Sequence, residues 1–238
     1  MTQPFEQTAD SAHPRPCPTE TLFISDLHLT PERPATIRLF LDFLGRRARR
    51  ARRLYILGDL FDAWIGDDDD TPPYAEIRAA LRDLTASGTD CALMHGNRDF
   101  LIGRAFCRDT GCTLLRDPTR ILLNPLVKRL FLWRSLDHRR AMAADYRRKS
   151  GAATADKPPA IMDVSPGTVD RYLRRFRASR LIHGHTHRPA EHGSAMGERP
   201  THRSVLAPWH DDRGEVLVHT PGQWRREVLR PGPQRPQP

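Results

Sequence analysis

The sequence has no run of apolar residues long enough to cross a bilayer, so no membrane span is expected. Met1–Glu20 is polar and proline-rich without an apolar core, so it does not read as a secretory signal; it is expected to be disordered, as is the tail Arg230–Pro238. Peripheral contact with a membrane surface stays open. There are four cysteines, Cys17, Cys91, Cys107 and Cys112, and none forms a CxxC pair. That spacing argues against a cysteine-type zinc site, and a chain of 238 residues needs no disulfide to hold its core. Reduced, structural thiols in a cytosolic compartment are the expectation. No recognition helix, RNP-like strand or zinc-finger spacing is present, so nucleic acid is not the expected partner.

What the chain does have is positive charge, +9 formally with a pI near 10.1, carried almost entirely by arginine. Such a balance points to an anionic partner: a phosphate ester, a nucleic acid or an anionic lipid. The length fits one α/β domain with a small insertion. Short β-rich runs at Thr21–Ser25, Leu54–Leu57, Cys91–His95 and Leu181–His183, with helical stretches between the first three, indicate a sheet with crossover helices. Ile37, Phe40, Leu41 and Leu44 recur at helical spacing within Pro34–Arg53, and Tyr74–Ala86 behaves similarly before Gly88. Ser165–Pro166 reads as the start of a further helix. After His187, runs near Val205, Val216–His219 and Glu227–Leu229 are separated by Gly or Pro and suggest an antiparallel second layer.

Residues 124–150 differ in kind. Leu126, Leu130, Phe131, Trp133 and Leu136 alternate with Lys128, Arg129, Arg134, Arg139, Arg140, Arg147 and Arg148, the pattern of a basic amphipathic helical pair. It fits either a solvated surface or a surface for lipid.

Four polar signatures, each at the downstream end of an apolar run, hold the chemistry: Asp26-Leu-His28, Gly58-Asp59, Gly96-Asn97-Arg98-Asp99 and Gly184-His185-Thr186-His187. Asp26 and His28 are two apart in extended chain, so both can grip one ion, and His185 and His187 repeat that spacing. Ligands gather beyond the carboxyl ends of strands in open α/β sheets, which is where these residues fall. Each signature alone is an ordinary turn or a lone histidine; in this order they read as the shell of a two-metal phosphoesterase. Carboxylate, imidazole and amide donors without thiolate suit Mn, Fe or Zn. A shared carboxylate, best assigned to Asp59, would hold two ions about 4 Å apart and make a water nucleophilic, with Arg98 neutralising phosphoryl oxygens. Asp99 would orient a ligand or Arg98.

This set of motifs resembles the calcineurin-like metallophosphoesterases. Arg98 in Gly96-Asn97-Arg98-Asp99, with Tyr55–Phe61, Ala63–Asp67, His95–Phe100, Ala160–Val164 and Leu181–Pro189, is similar to the UDP-2,3-diacylglucosamine diphosphatases of lipid A biosynthesis over most of Thr21–His210. The resemblance implies a four-layer α/β/β/α sandwich over residues 21–229, with a helical lid at 124–158. It implies Mn2+-dependent hydrolysis of the UDP-2,3-diacylglucosamine pyrophosphate to UMP and 2,3-diacylglucosamine 1-phosphate. It also implies a peripheral monomer at the cytoplasmic face of the inner membrane. Carried over by motif, Asp26, His28, Asp59 and His187 serve one ion and Asp59, Asn97 and His185 the other. Asn97, Arg98 and His185 are catalytic, and Asn97, Arg98, Ser150, Thr154, Lys157 and His185 contact substrate. Thr154 stands where the resemblance leads one to expect Asn.

One part of the pattern is missing. Relatives place a strand ending in His-Gly-Asp between the positions of Leu115 and Asn124, and on the order of 30 residues are absent here, enough for a strand and a loop. The loss is expected to delete an internal strand and one imidazole of the second ion, leaving that ion weak or absent and turnover reduced. Two other functions fit the motifs: a pseudoenzyme that binds the diacyl sugar nucleotide without cleaving it, and a related metallophosphodiesterase with another substrate.

Overall fold

A computed structural model describes residues 19–115, 125–155, 164–196 and 199–232. The expectations for Met1–Pro18 and the last six residues lie outside them. The described chain begins before the expected domain start: Glu20 pairs with Arg47 and Arg225.

The first half builds a parallel sheet by crossover. Strands β1 (Thr21–Ile24), β2 (Arg53–Leu57), β3 (Asp90–Met94) and β4 (Thr113–Leu115) pair in parallel in the order β4-β3-β2-β1. Helices α1 (Pro34–Asp42), α2 (Tyr74–Ala86) and α3 (Arg104–Thr110) link them. Proline at the first turn starts α1, where its missing N–H would be unsatisfied in any case. The expected helix to Arg53 is shorter than its apolar spacing suggests: beyond Asp42 it widens into a π-turn at Phe43–Arg47 and tightens at Ala48–Arg50. This lets Leu44 and Ala48 stay buried while the arginine run remains largely outside. Helix α2 matches its expected bounds and ends before Gly88, whose φ of +97° turns the chain.

Alternation assigns each face of this sheet. Leu22, Ile24, Leu54, Ile56, Cys91 and Leu93 point to the helical layer and meet Ile37, Phe40, Ile77, Leu81, Leu84 and Phe106 in one core. Phe40 is fully buried, so Phe40→Ala would cost about 3–5 kcal/mol. Phe23 and Tyr55 point the other way and stack at 5.1 Å.

The C-terminal strands lie elsewhere than their spacing suggests. Strands β8 (Gly214–Thr220) and β9 (Gln223–Leu229) do not form the second layer; they extend the first sheet, with β8 antiparallel to β1. The reason is burial on both sides: Val216 and Val218 join the helical core, while Leu217 faces the opposite side. The second layer is a three-stranded sheet, β5 (Arg180–His183), β7 (Arg199–Val205) and β6 (Ala190–Met196), covered by α6 (Pro166–Phe176) through Val169 and Leu173. Arg180 stacks over Trp224 and Arg226 donates to the Ala190 and Val205 carbonyls, joining the two sheets. Two sheets between helical layers make the expected α/β/β/α sandwich. Among the described residues β5 pairs only with β7, and the segment expected to lack a strand falls at 116–124, outside them. Helices α4 (Pro125–Leu132) and α5 (Leu136–Ala155) form the expected basic pair.

Candidate metal centre

The loops that follow β1, β2, β3 and β5 converge at one end of the two sheets. Asp26 is buried at 1% exposure, and its carboxylate accepts from Ser25 Oγ at 2.6 Å and from the His185 amide at 2.9 Å. His187 Nε2 lies 3.5 Å from Asp26 Oδ1 and 3.4 Å from His28 Nε2. Donor atoms of Asp26, His28 and His187 thus lie within 4.8 Å of one another. Burial works against ionising Asp26, but bonds from His187, Ser25 and the His185 amide outweigh it and hold its carboxyl below the ordinary range. The His28 imidazole is also held below its ordinary value, here by burial itself, against the pull of Asp59 and Asp26. A charged carboxylate beside a neutral imidazole is the protonation state that a divalent cation requires.

Asp59 organises the adjoining half. It is buried, and its Oδ1 accepts from the Arg98 amide at 3.1 Å. With the Asn97 amide oriented to satisfy both groups, its nitrogen lies 3.1 and 2.8 Å from the two Asp59 oxygens. His185 Nδ1 is 3.9 Å from Asp59 Oδ2, and its ring is 73% exposed at the rim. Among the described residues only the Asp26–His28–His187 group draws three His or carboxylate donors together. Asp59, Asn97 and His185 are neighbours but do not converge to that degree.

The backbone marks these positions independently. Among the described residues six other than glycine have positive φ, and five of them are Asp26, His28, Asp59, His185 and His187. Left-handed backbone costs a β-carbon-bearing residue free energy, and it persists where surrounding contacts impose it, chiefly at functional sites. His28 Nδ1 is moreover buried without a hydrogen-bond partner, an imidazole nitrogen withheld from water. These observations and the donor types fit a divalent cation held by Asp26, His28 and His187, with Asp59, Asn97 and His185 beside it.

Two glycines allow the close approach. A β-carbon on Gly184 would lie 2.0 Å from Asp26 Oδ2, and one on Gly96 would lie 1.9 Å from Asp59 Oδ1. Asp99 is fully buried and accepts from the Gly96 amide at 2.6 Å and the Leu60 amide at 2.8 Å, so it ties the Asp59 loop to the Asn97 loop. Of the two roles expected for it, these bonds match the orienting of ligand-bearing loops, while the Arg98 side chain bonds Asp62. Burial first, and then the charge of Asp59, push the Asp99 carboxyl up to about 7.

Arg98 donates from Nη1 to Asp62 Oδ1 at 3.0 Å, and the same oxygen lies 3.9 Å from His28 Nδ1. Asp62 and Ser25 escaped the sequence reading because neither belongs to a recognisable spacing; the only signal was their adjacency to Asp59 and Asp26. An open cleft of about 980 Å³ separates His28, Arg98 and His187 from Ala141, Ala144 and Arg148 of α5. A second cavity of about 370 Å³ lies on the other side, between Asp59, Asn97 and His185 and the apolar Leu57, Met94, Leu181, Val169 and Tyr172. Ser150 and Thr154 lie on α5 by backbone, but their side chains, and Lys157 altogether, are outside the described residues.

A buried carboxylate with two imidazoles at strand ends, across a cleft from a basic helical pair, is the donor set of a metallophosphoesterase. The profile of the calcineurin-like phosphoesterase family matches residues 20–189, and the chain belongs to that family. Within it, the chain is 46% identical to the UDP-2,3-diacylglucosamine hydrolase of Pseudomonas fluorescens (strain SBW25), over 82% of this chain and 90% of that one. It is 44% identical to the UDP-2,3-diacylglucosamine hydrolase of Salmonella paratyphi B (strain ATCC BAA-1250 / SPB7), over 83% and 94%. These alignments run over 226 positions, more than 82–83% of 238 residues can fill, so the relatives carry positions with no counterpart here. Among solved structures, a cold-active protein-tyrosine phosphatase of a psychrophile Shewanella is 12% identical with a TM-score of 0.44, covering 90% of this chain and 81% of that one.

Proposed function

We propose that the chain hydrolyses the pyrophosphate of UDP-2,3-diacylglucosamine to UMP and 2,3-diacylglucosamine 1-phosphate, in lipid A biosynthesis, with Mn2+ as the metal. The observation that carries this reading is the Asp26–His28–His187 group facing, across one cleft, a helical pair whose Trp133 and Leu130 are 88% and 60% exposed. A metal held there supplies Lewis acidity toward phosphoryl oxygens and lowers the pKa of water. The remaining work falls to the chain's own groups. Arg98 offers a guanidinium to the phosphates, and Asp62 fixes its orientation. The half-buried Arg98 opens on the cleft under α5 and His185 on the cavity beyond Asp59, so on this reading charge developing on phosphoryl oxygen meets a donor on either side of the metal position. The exposed apolar residues of α4 and α5 give acyl chains a surface, and the adjoining arginines suit the anionic face of the inner membrane. On this reading the chain acts as a peripheral monomer at the cytoplasmic side.

Phosphorus NMR of substrate incubated with purified protein and Mn2+ tests it. UMP and the sugar 1-phosphate should appear together, with no product from cyclic nucleotides. Cleavage of cyclic nucleotides or simple diesters alone would point to another phosphodiesterase. A second reading has its own support: among the described residues three donors converge around one ion position, and the relatives carry positions with no counterpart here. It makes the chain a substrate-binding pseudoenzyme. Binding of the substrate in saturating Mn2+ with no UMP released would establish that reading over hydrolysis.

A further inference from the structure

Four consecutive aspartates follow the Asp59 loop, and each has a separate structural task. Asp67 accepts from the amides of Gly103 at 3.0 Å, Ala105 at 3.1 Å and Phe106 at 3.0 Å, capping α3 from a distance. Asp70 pairs with Arg78 within the body. The middle two reach the helical pair. Asp68 receives both terminal nitrogens of Arg139, one at 2.9 Å, and buried Asp69 accepts from Arg140 Nη2 at 2.8 Å and from Thr71 Oγ1 at 2.6 Å.

Arg139 is 2% exposed on a helix whose described neighbours mostly face solvent. Its Nη1 also donates to the Ile65 carbonyl at 2.6 Å, and its Nε donates to the Arg134 carbonyl at 3.0 Å, in the turn between α4 and α5. The receiving loop is shaped for it: a β-carbon on Gly66, where φ is +148°, would lie 2.2 Å from Arg139 Nη1 and 3.1 Å from Leu132 Cδ2. Asp68 is 63% exposed, so screening weakens the ion pair as such. The buried guanidinium, bonded on all sides, is the stronger restraint.

Arg139 also stands at a mechanical position. Ala141, Ala144 and Arg148 share one face of α5 and look across the cleft at His28, Arg98 and His187. Arg148 lies about 14 Å along the axis from Arg139, so a tilt of about 10° there moves Arg148 by roughly 2 Å. Displacements of that size are enough to spoil the fit of a bound substrate.

We propose that Arg139 is a positioning residue: seated between Asp68 and the Ile65 carbonyl, it fixes the angle of α5 over the His28–Arg98–His187 face and so selects substrates whose apolar part reaches the helical pair. The selection rests on the lipid-linked substrate read above; the fixing of α5 does not.

Full-length Arg139→Met, Arg139→Lys and Asp70→Asn proteins, loaded with Mn2+, test it by hydrogen exchange, metal content and kinetics on UDP-2,3-diacylglucosamine. Arg139→Met should raise exchange in the first turns of α5, leave α1 and α2 protected, and leave metal content unchanged. It should raise KM far more than it lowers kcat, for a loss in kcat/KM on the order of 10²-fold. Arg139→Lys should recover part of that loss, and Asp70→Asn, whose partner is in the body, should leave α5 and the kinetics unaltered. Unchanged exchange in α5 of Arg139→Met overturns the proposal. So does raised exchange with an unaltered KM, which would reduce Arg139 to a structural tie. Should the unmodified chain release no UMP, the functional reading fails separately, and exchange together with the dissociation constant of the substrate decides the role of Arg139.

Discussion

At Gly184 and Asp26 the difference between a hydrogen atom and a methyl group decides whether the site exists. The carboxylate accepts the His185 amide only because nothing projects from Gly184, and an added β-carbon would meet both Asp26 Oδ2 and Ser25 Oγ. Gly184→Ala is therefore expected to lower stability by about 1–3 kcal/mol as overpacking forces the loop aside. Thermal unfolding with and without Mn2+ checks this: the metal-induced rise in Tm should shrink as well, and an unchanged rise would show that Asp26 keeps its place. Asp62 offers a different case. It holds Arg98 and lies beside His28 without belonging to the convergent donor group. Asp62→Ala should cost about 10–100-fold in kcat/KM, as for other groups that orient a ligand's partner, with little change in unfolding. Sequence made Asp26, His28, Asp59, Asn97, Arg98, His185 and His187 legible because their chemistry recurs at fixed spacing after strands. It left Asp62 and Ser25 hidden because a single carboxylate or hydroxyl has no spacing to betray it.

The elements show the same division. Helix α2 was readable to the residue, since its apolar period and the glycine after it agree. The early end of α1 was not, because a π-turn keeps the apolar residues buried while breaking the period from which the helix was read. Strands β8 and β9 were recognisable as strands but not as members of the first sheet. Alternating apolar residues state that a strand has two faces, not which neighbour its edge finds. The helical pair α4–α5 was visible through its charge and aromatic content, and its exposed Leu130, Trp133, Met142 and Tyr146 are the residues that the proposed apolar surface would use. Trp133→Ser with Leu130→Ser should reduce sedimentation with anionic phospholipid vesicles severalfold while metal content stays constant. Loss of solubility or metal without loss of vesicle binding would assign these residues to packing instead.

Taken whole, the excess of arginine serves the fold as well as a partner. Arg47 bridges Glu20 and Glu227, and Arg226 bridges Glu191 and Glu215 between the sheets. Burial opposes ionisation of Glu227 and Glu191, but Arg47 and Arg226 respectively outweigh it and hold both carboxyls below their ordinary range. Because the folded value is depressed, this contribution is fully present above the ordinary glutamate range. It is lost as pH falls through the folded value, discounted at the half-exposed Glu191. Urea unfolding should thus show falling stability from about pH 5 downward. Glu227→Gln should flatten that slope, and an unaltered slope would place the acid-sensitive groups elsewhere.

The left-handed backbone at Asp26, His28, Asp59, His185 and His187 has a consequence for anyone redesigning the molecule. Each such residue costs about 1–3 kcal/mol, so a search for heat resistance would rank glycine substitutions at these five positions among its most rewarding. Every one of them would remove a side chain of the candidate metal centre, three of them from the Asp26–His28–His187 group itself. Relief of the backbone and retention of the cation group therefore pull in opposite directions at these positions.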